Sequence, residues 1–107
     1  MTVAKVEASV ENGMTRVALS GEIDLANAAT VEDEIRAAVD HQPSVVSVDL
    51  THLDYMDSAG VRILFRLAFR LQSMRVVLEL IVPFDSPTRR LIELSGFESL
   101  AALRPAG

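Results

Sequence analysis

The spacing of the apolar residues changes along the chain, and this change constrains the fold more than any other feature. Apolar and polar residues alternate over residues 5–11, as they do in a strand with one solvent-facing side. Asn12 and Gly13 follow, a pair typical of a tight hairpin turn because both residues tolerate a positive φ. A return strand is expected over residues 14–20, so the chain should begin with an antiparallel hairpin.

Helical and strand-like patterns alternate after the hairpin. Apolar residues recur at three- and four-residue steps up to about Asp40, which predicts an amphipathic helix that Gln42 and Pro43 should close. Ser86 is expected to cap the last helix, with Pro87 at its first position. The other expected elements are a strand over residues 45–50, a polar loop over 51–56, a helix over 58–73, a strand over 76–82 and a last helix that ends at Gly96.

This order, β-β-α-β-α-β-α followed by a short tail, predicts the fold class. A hairpin followed by two β-α-β crossovers gives an α/β fold with a mixed sheet of four to five strands and helices packed mainly on one face. The 107 residues fit a single domain, residues 1–107, and half of them are apolar, which is enough for an aliphatic core.

The composition argues against several classes of function. The chain has no cysteine, which excludes disulfides, thiolate metal sites and cysteine nucleophiles and favours a reducing compartment. His41 and His52 fall in predicted loops without the spacing of metal ligands, and the glycines are isolated, so no metal, cofactor or phosphate-binding loop is expected. The net charge of −5 disfavours binding to nucleic acid. Because the chain lacks a signal peptide and any apolar run of about 20 residues, we expect a cytoplasmic protein that does not associate with a membrane. The sequence shows no catalytic constellation, so we do not expect an enzyme.

The most informative segment is residues 48–61, where a predicted buried strand leads through a loop into a helix. Asp57 is placed to cap that helix, and Ser58 falls on its first turn, where the hydroxyl is exposed and the helix dipole favours negative charge. Ala59 and Gly60 are small, so the backbone there can be approached closely. A serine at a helix start is more often a capping residue than a regulatory site, so this segment alone does not identify a function.

The helix that begins at Ser58 is predicted to have two unlike faces. Its apolar side should face the core, and its opposite side carries Ser58, Arg62, Phe65, Arg66 and Phe69. Phenylalanines interleaved with arginines on a solvent-facing side are typical of the centre of a protein interface. Two alternatives stay open, since Phe65 could lean sideways under a neighbouring element and the arginines, Arg70 included, could form a solvated stripe.

Three motifs occur in order along the chain. They are Leu-Ser-Gly-Glu-Ile-Asp-Leu over residues 19–25, Val-Ser-Val-Asp-Leu over 46–50 followed by Met-Asp-Ser-Ala-Gly over 56–60, and Arg-Arg-Leu-Ile-Glu-Leu-Ser-Gly-Phe over 89–97. Together they resemble the STAS family, in particular the bacterial anti-sigma factor antagonists, over about residues 6–100. The chain departs from the family at Ala59, where a second serine is common, and at Arg62, where a small or apolar residue is frequent. It also has room for only a vestige of the fourth helix of many relatives.

The resemblance implies a regulatory switch. In that family the partner is both an anti-sigma factor and a serine kinase, the unmodified antagonist sequesters it and frees the sigma factor, and a PP2C-class phosphatase resets the switch. By resemblance Ser58 is the phosphoacceptor, Asp57 is its helix-capping neighbour, and Asp24 belongs to the adjacent partner-contact loop. The resemblance places ATP on the kinase and not on this chain. The family also includes STAS subunits of larger signalling assemblies and accessory STAS proteins of ABC-type lipid transporters, and these are the alternatives.

Overall fold

One mixed sheet of five strands carries three helices. The elements are β1 (Ala4–Glu11), β2 (Met14–Ile23), α1 (Ala28–Val39), β3 (Val45–Met56), α2 (Ser58–Ser73), β4 (Val77–Ile81), α3 (Pro87–Leu94), a 3-10 turn (Phe97–Ser99) and β5 (Ala102–Arg104). In this computed structural model, which describes residues 3–40 and 43–105, the strands lie in the order β1-β2-β3-β4-β5. β1 and β2 are antiparallel and the other neighbours are parallel, which confirms the predicted α/β class and mixed sheet.

The predicted hairpin is confirmed. Asn12 and Gly13 have φ angles of 51° and 80°, and Glu11 lies opposite Met14, as a two-residue turn with positive φ at both positions requires. The expected closure of the first helix by Gln42 and the loop position of His41 lie outside the described residues. That helix, α1, ends at Val39.

The predicted polar loop over residues 51–56 is wrong, because β3 continues through it to Met56. The last residues of β2, which runs to Ile23 and not to the expected Ser20, pair with this extension. His52 therefore lies in a strand and not in a loop. The extension is stable because Leu53 and Met56 bury their side chains.

The core lies between the helices and one face of the sheet. Alternate residues of β2, β3 and β4 are buried on that face, and α1 and α2 contribute one apolar stripe each. The buried strand residues are Val17, Leu19, Ile23, Val46, Val48, Leu50, Leu78 and Leu80, and the buried helix residues include Val31, Ile35, Val39, Ile63, Leu64, Leu67 and Leu71.

The last helix begins and ends as predicted, but the tail does not stay irregular. Ser86 Oγ accepts a hydrogen bond from the Arg89 amide at 3.1 Å, and Gly96 follows the helix with φ 81°. The expected vestige of a fourth helix is only the 3-10 turn, after which β5 adds a parallel edge strand to β4. Phe97 within that turn is fully buried and closes the core at this end.

Candidate functional site

The candidate site lies where the parallel strands β2 and β3 end. Ile23 and Met56 are paired in the sheet, and the Asp57 amide donates to the Ile23 carbonyl at 3.2 Å. The loop over residues 24–27 and the first turn of α2 therefore leave the sheet side by side. Loops at the carboxyl ends of parallel strands are the usual place for binding sites in α/β folds.

Asp57 caps α2, as predicted. Its backbone is extended and its Oδ1 accepts a hydrogen bond from the Ala59 amide at 2.8 Å. The next residue, Ser58, is the first residue of the helix and is exposed to solvent. Ser58 is therefore on a rigid element, next to a cap that fixes the start of the helix.

Gly60 is buried, and the neighbour that needs its small size lies inside the protein. A Cβ atom at this position would overlap Cγ of Met56, lie 2.7 Å from its Sδ and lie 3.4 Å from Cγ2 of Ile23. The small size of Gly60 was expected to let another molecule come close to the backbone, but at this position the space is filled by the Met56 side chain of the same chain. Ala59, on the neighbouring side of the turn, is half-buried and remains partly open to solvent.

The loop over residues 24–27 is held by its own polar side chains. The Ala26 amide donates to Asp24 Oδ1 at 2.8 Å, and the Asp24 amide donates to Asn27 Oδ1 at 3.0 Å. Asn27 Nδ2 also donates to the Glu22 carbonyl at 2.9 Å. Asp24, expected as a partner-contact residue, therefore shapes the loop in which it lies.

Leu25 is a candidate contact residue that the sequence reasoning missed. Its side chain is 80% exposed, although leucine is among the residues most often buried. It lines a cleft of about 170 Å³ together with Ala59 and Arg62, the neighbours of Ser58 on α2. The available signal was a large apolar residue directly after Asp24, in a segment that leaves the sheet.

The two phenylalanines of α2 have different surroundings. Phe65 is half-buried and packs edge-on against Phe97, with 5.0 Å between ring centroids. Phe69 is 57% exposed and lies 6.3 Å from Phe65, centroid to centroid. Phe65 thus leans under the C-terminal segment, as the alternative interpretation held, and Phe69 lies on the solvent-facing side.

The arginines of α2 also differ from one another. Arg66 Nη1 donates to Glu32 Oε1 of α1 at 3.1 Å, and Arg70 lies 3.9 Å from an Asp40 carboxylate oxygen. Within residues 3–40 and 43–105, Arg62 takes part in no ion pair. Arg62 is one helical turn after Ser58 on the same face, so its guanidinium is the charge available to that serine.

The described part of the chain holds neither a cluster of metal-ligating side chains nor a membrane-spanning helix. There, no three His, Asp or Glu side chains come together in a way that could hold a metal ion. Of the helices in residues 3–40 and 43–105, none is long and apolar enough to cross a membrane.

Comparisons with known proteins point in one direction. A family model described as STAS domain matches residues 5–106. BtrV of Bordetella bronchiseptica, named as a candidate anti-sigma factor antagonist, is 36% identical over 89 residues, which cover 83% of this chain and 76% of BtrV. The anti-sigma-F factor antagonist RsfB of Mycobacterium tuberculosis is 33% identical over 88 residues, which cover 81% of this chain and 70% of RsfB.

Solved structures show the same architecture. An anti-sigma factor antagonist from Mycobacterium paratuberculosis superposes with a TM-score of 0.87 at 28% identity, over 97% of this chain and 87% of the other. The anti-sigma factor antagonist SpoIIAA in its unphosphorylated form superposes with a TM-score of 0.76 at 22% identity, over 98% of this chain and 89% of the other. The likeness to SpoIIAA shows the fold alone.

Proposed function

Because the chain belongs to the STAS domain family, we propose that it is an anti-sigma factor antagonist whose partner binding is switched off by phosphorylation of Ser58. The names of the relatives support the first half of this proposal. The observation that carries the second half is the place of Ser58, exposed on the first turn of α2 directly after the Asp57 cap.

The partner in this proposal is an anti-sigma factor that is also a serine kinase. The unmodified chain binds it and so releases the sigma factor, and the kinase, which binds the ATP, then modifies Ser58. A phosphatase of the PP2C class removes the phosphate and restores binding. The chain itself acts by binding in the cytoplasm and catalyses no reaction.

The docking surface combines an apolar contact with the regulated hydroxyl. Exposed Leu25 lines a cleft together with Ala59, the residue next to Ser58, so a partner that covers Leu25 comes close to the Ser58 hydroxyl and excludes water from it. A neutral hydroxyl tolerates that loss of water at modest cost, whereas a phosphate does not. Asp24 fixes the shape of the loop over residues 24–27, and Asp57 fixes the first turn of α2, which are the two segments that the partner meets.

The fold should survive the modification. A phosphoserine carries about −1.5 to −2 charge units at neutral pH, and a helix N-terminus favours negative charge. Arg62, one turn away and outside the ion pairs found in residues 3–40 and 43–105, can orient towards the phosphate. An unmatched charge at a desolvated contact costs a few kcal/mol, which lowers affinity by roughly a hundredfold or more.

Affinity capture from the native host, with the wild-type chain and Ser58→Asp as baits, tests the proposal. Mass spectrometry should find an ATP-binding serine kinase on the wild-type bait and much less of it on Ser58→Asp. Ser44→Asp is the matched control, because Ser44 is exposed at the opposite end of β3 and receives the same change in charge.

The captured kinase, purified and supplied with ATP, should then phosphorylate the wild-type chain and not Ser58→Ala. Phosphate on Ser58→Ala at the wild-type level would refute the site. Capture of transporter subunits in place of a kinase would refute the antagonist function and favour an accessory role in transport.

A further inference from the structure

The outer edge of the sheet has no partner strand in the described part of the chain. β1 lies first in the strand order and pairs only with β2, so its other edge presents backbone N–H and C=O groups to solvent. With eight residues β1 is longer than the usual five or six, and it contains no proline or bulge that would block pairing.

The hairpin determines which residues face that edge. In a two-residue hairpin the residues flanking the turn, here Glu11 and Met14, form a hydrogen-bonded pair. Hydrogen-bonded and non-hydrogen-bonded pairs alternate along an antiparallel ladder, so the odd-numbered residues of β1 direct their backbone groups towards β2. The even-numbered residues, Ala4, Val6, Ala8 and Val10, direct theirs to the free edge.

The side chains of β1 also alternate, with odd-numbered residues on one face of the sheet and even-numbered residues on the other. Lys5 and Glu7 share the face of the sheet away from the helices, where Lys5 Nζ lies 2.9 Å from Glu7 Oε1, and Glu11 ends the strand on that face. Val6 and Val10 lie on the other face, where Val10 is 61% exposed. The strand thus has a cation near its start, an anion at its end and apolar surface still exposed to water.

We propose that two copies of this chain associate through β1, antiparallel, with Ala8 of one copy facing Ala8 of the other across a two-fold axis. In this register Lys5 of each copy lies opposite Glu11 of the other, and Val6 lies opposite Val10. The even-numbered residues exchange the edge hydrogen bonds. The charged pairs fall at non-hydrogen-bonded positions, where opposing side chains are closest.

Charge selects this register over its neighbours. Pairing centred on Glu7 would place two Glu7 carboxylates against each other, and pairing centred on Ser9 would place Glu7 against Glu11. Pairing centred on Val6 would match Lys5 with Glu7 but would overlap only residues 4–8. The register centred on Ala8 overlaps residues 5–11 and also covers Val10.

The dimer is expected to be weak and reversible. A single pair of edge strands buries less than the roughly 1,200 Å² of stable complexes, and its exposed ion pairs are screened by salt. Ser58 lies at the start of α2 and not on this edge, so the association does not depend on the proposed switch.

Sedimentation equilibrium over a concentration series, combined with charge reversal, tests the register. Lys5→Glu and Glu11→Lys should each weaken dimerisation by about tenfold, because symmetry counts each reversal twice. The double variant restores the opposite charges and should return to within about threefold of the wild type. Glu34→Lys, on the exposed side of α1, changes the charge by the same amount as Glu11→Lys and should have no effect.

Ala8→Pro provides a second test that uses no charge. It removes an N–H that points to the free edge, so circular dichroism should be unchanged while dimerisation is lost. A wild-type chain that is monomeric at every concentration would overturn the proposal, and so would a double variant that dimerises no better than the single ones. In those cases the charged side chains of β1 serve only to prevent this edge strand from pairing with another chain.

Discussion

Gly60→Ala should destabilise the protein, although alanine is normally preferred over glycine in a helix. The preference is worth up to about 1 kcal/mol, but the new methyl group would overlap Cγ of Met56. Cγ lies near the root of the side chain, so all of the buried thioether must leave its place. Overpacking of this kind costs about 1–3 kcal/mol, and after the helix preference is subtracted we expect a net loss of about 1 kcal/mol in the free energy of unfolding.

The sign of this effect should reverse when Met56 is shortened. Met56→Ala alone should cost about 2–5 kcal/mol, as for other large-to-small changes in a core. In that background the new methyl group meets Cγ2 of Ile23 only at an ordinary contact distance of 3.4 Å, so Gly60→Ala should be neutral or stabilising by up to about 1 kcal/mol. Urea denaturation of the four proteins in this cycle measures the coupling directly. If Gly60→Ala stabilises the wild-type chain, the packing of Met56 does not require glycine, and the reasoning is wrong.

The remaining predictions concern the surface. Ser58→Asp should melt within a few degrees of the wild type, because a helix N-terminus favours a carboxylate, yet bind the partner poorly; thermal melts and titration calorimetry separate the two effects. Phe69→Ala should change the free energy of unfolding by no more than about 0.5 kcal/mol but weaken partner binding by at least about 1 kcal/mol; a loss of several kcal/mol of stability would place Phe69 in the core. Burial alone would raise the pKa of Asp49, but hydrogen bonds from Thr51 and Arg16 outweigh it and hold this pKa below its ordinary value. Its stabilising effect is therefore present above the unfolded-state pKa of about 3.9 and lost as the pH falls through the lower folded-state value. Asp49→Asn should flatten the acid limb of stability against pH, and an unchanged acid limb would contradict this assignment.

Features that depend on neighbours in sequence could be predicted. The turn at Asn12 and Gly13, the cap by Asp57 and the start of α3 follow from the preferences of one or two residues and their immediate surroundings. The solvent-facing side of α2 could be predicted from the helical spacing of its apolar residues, and Phe69 lies on that side. The same spacing could not predict that Phe65 is half-buried, because its neighbour Phe97 comes from a segment 32 residues away in the chain.

Pairing between distant strands could not be predicted, and the extension of β3 shows why. Leu50, Leu53 and Met56 are all buried, although a regular strand would turn residues three apart to opposite faces. The register against β2 shifts by one residue between Ala18 and Ser20 and again between Gly21 and Glu22. Each shift inserts one extra residue into β3, as a β-bulge does, and so returns the next apolar residue to the core. The three-residue spacing of the buried residues does not fit a regular strand, so this segment is predicted as a loop unless its pairing with β2 is known.

The same extension accounts for the position of Ser58. It carries β3 beyond the predicted strand end, pairs Met56 with Ile23 and places the Met56 side chain beneath Gly60. The cap by Asp57 then starts α2 at a point fixed by both the sheet and the core. A charge added to Ser58 therefore acts on a turn that is already held by the sheet and the core, and we expect its effect to fall on whatever contacts that turn. For this reason a local change in charge at Ser58 is suited to release a partner without unfolding the chain.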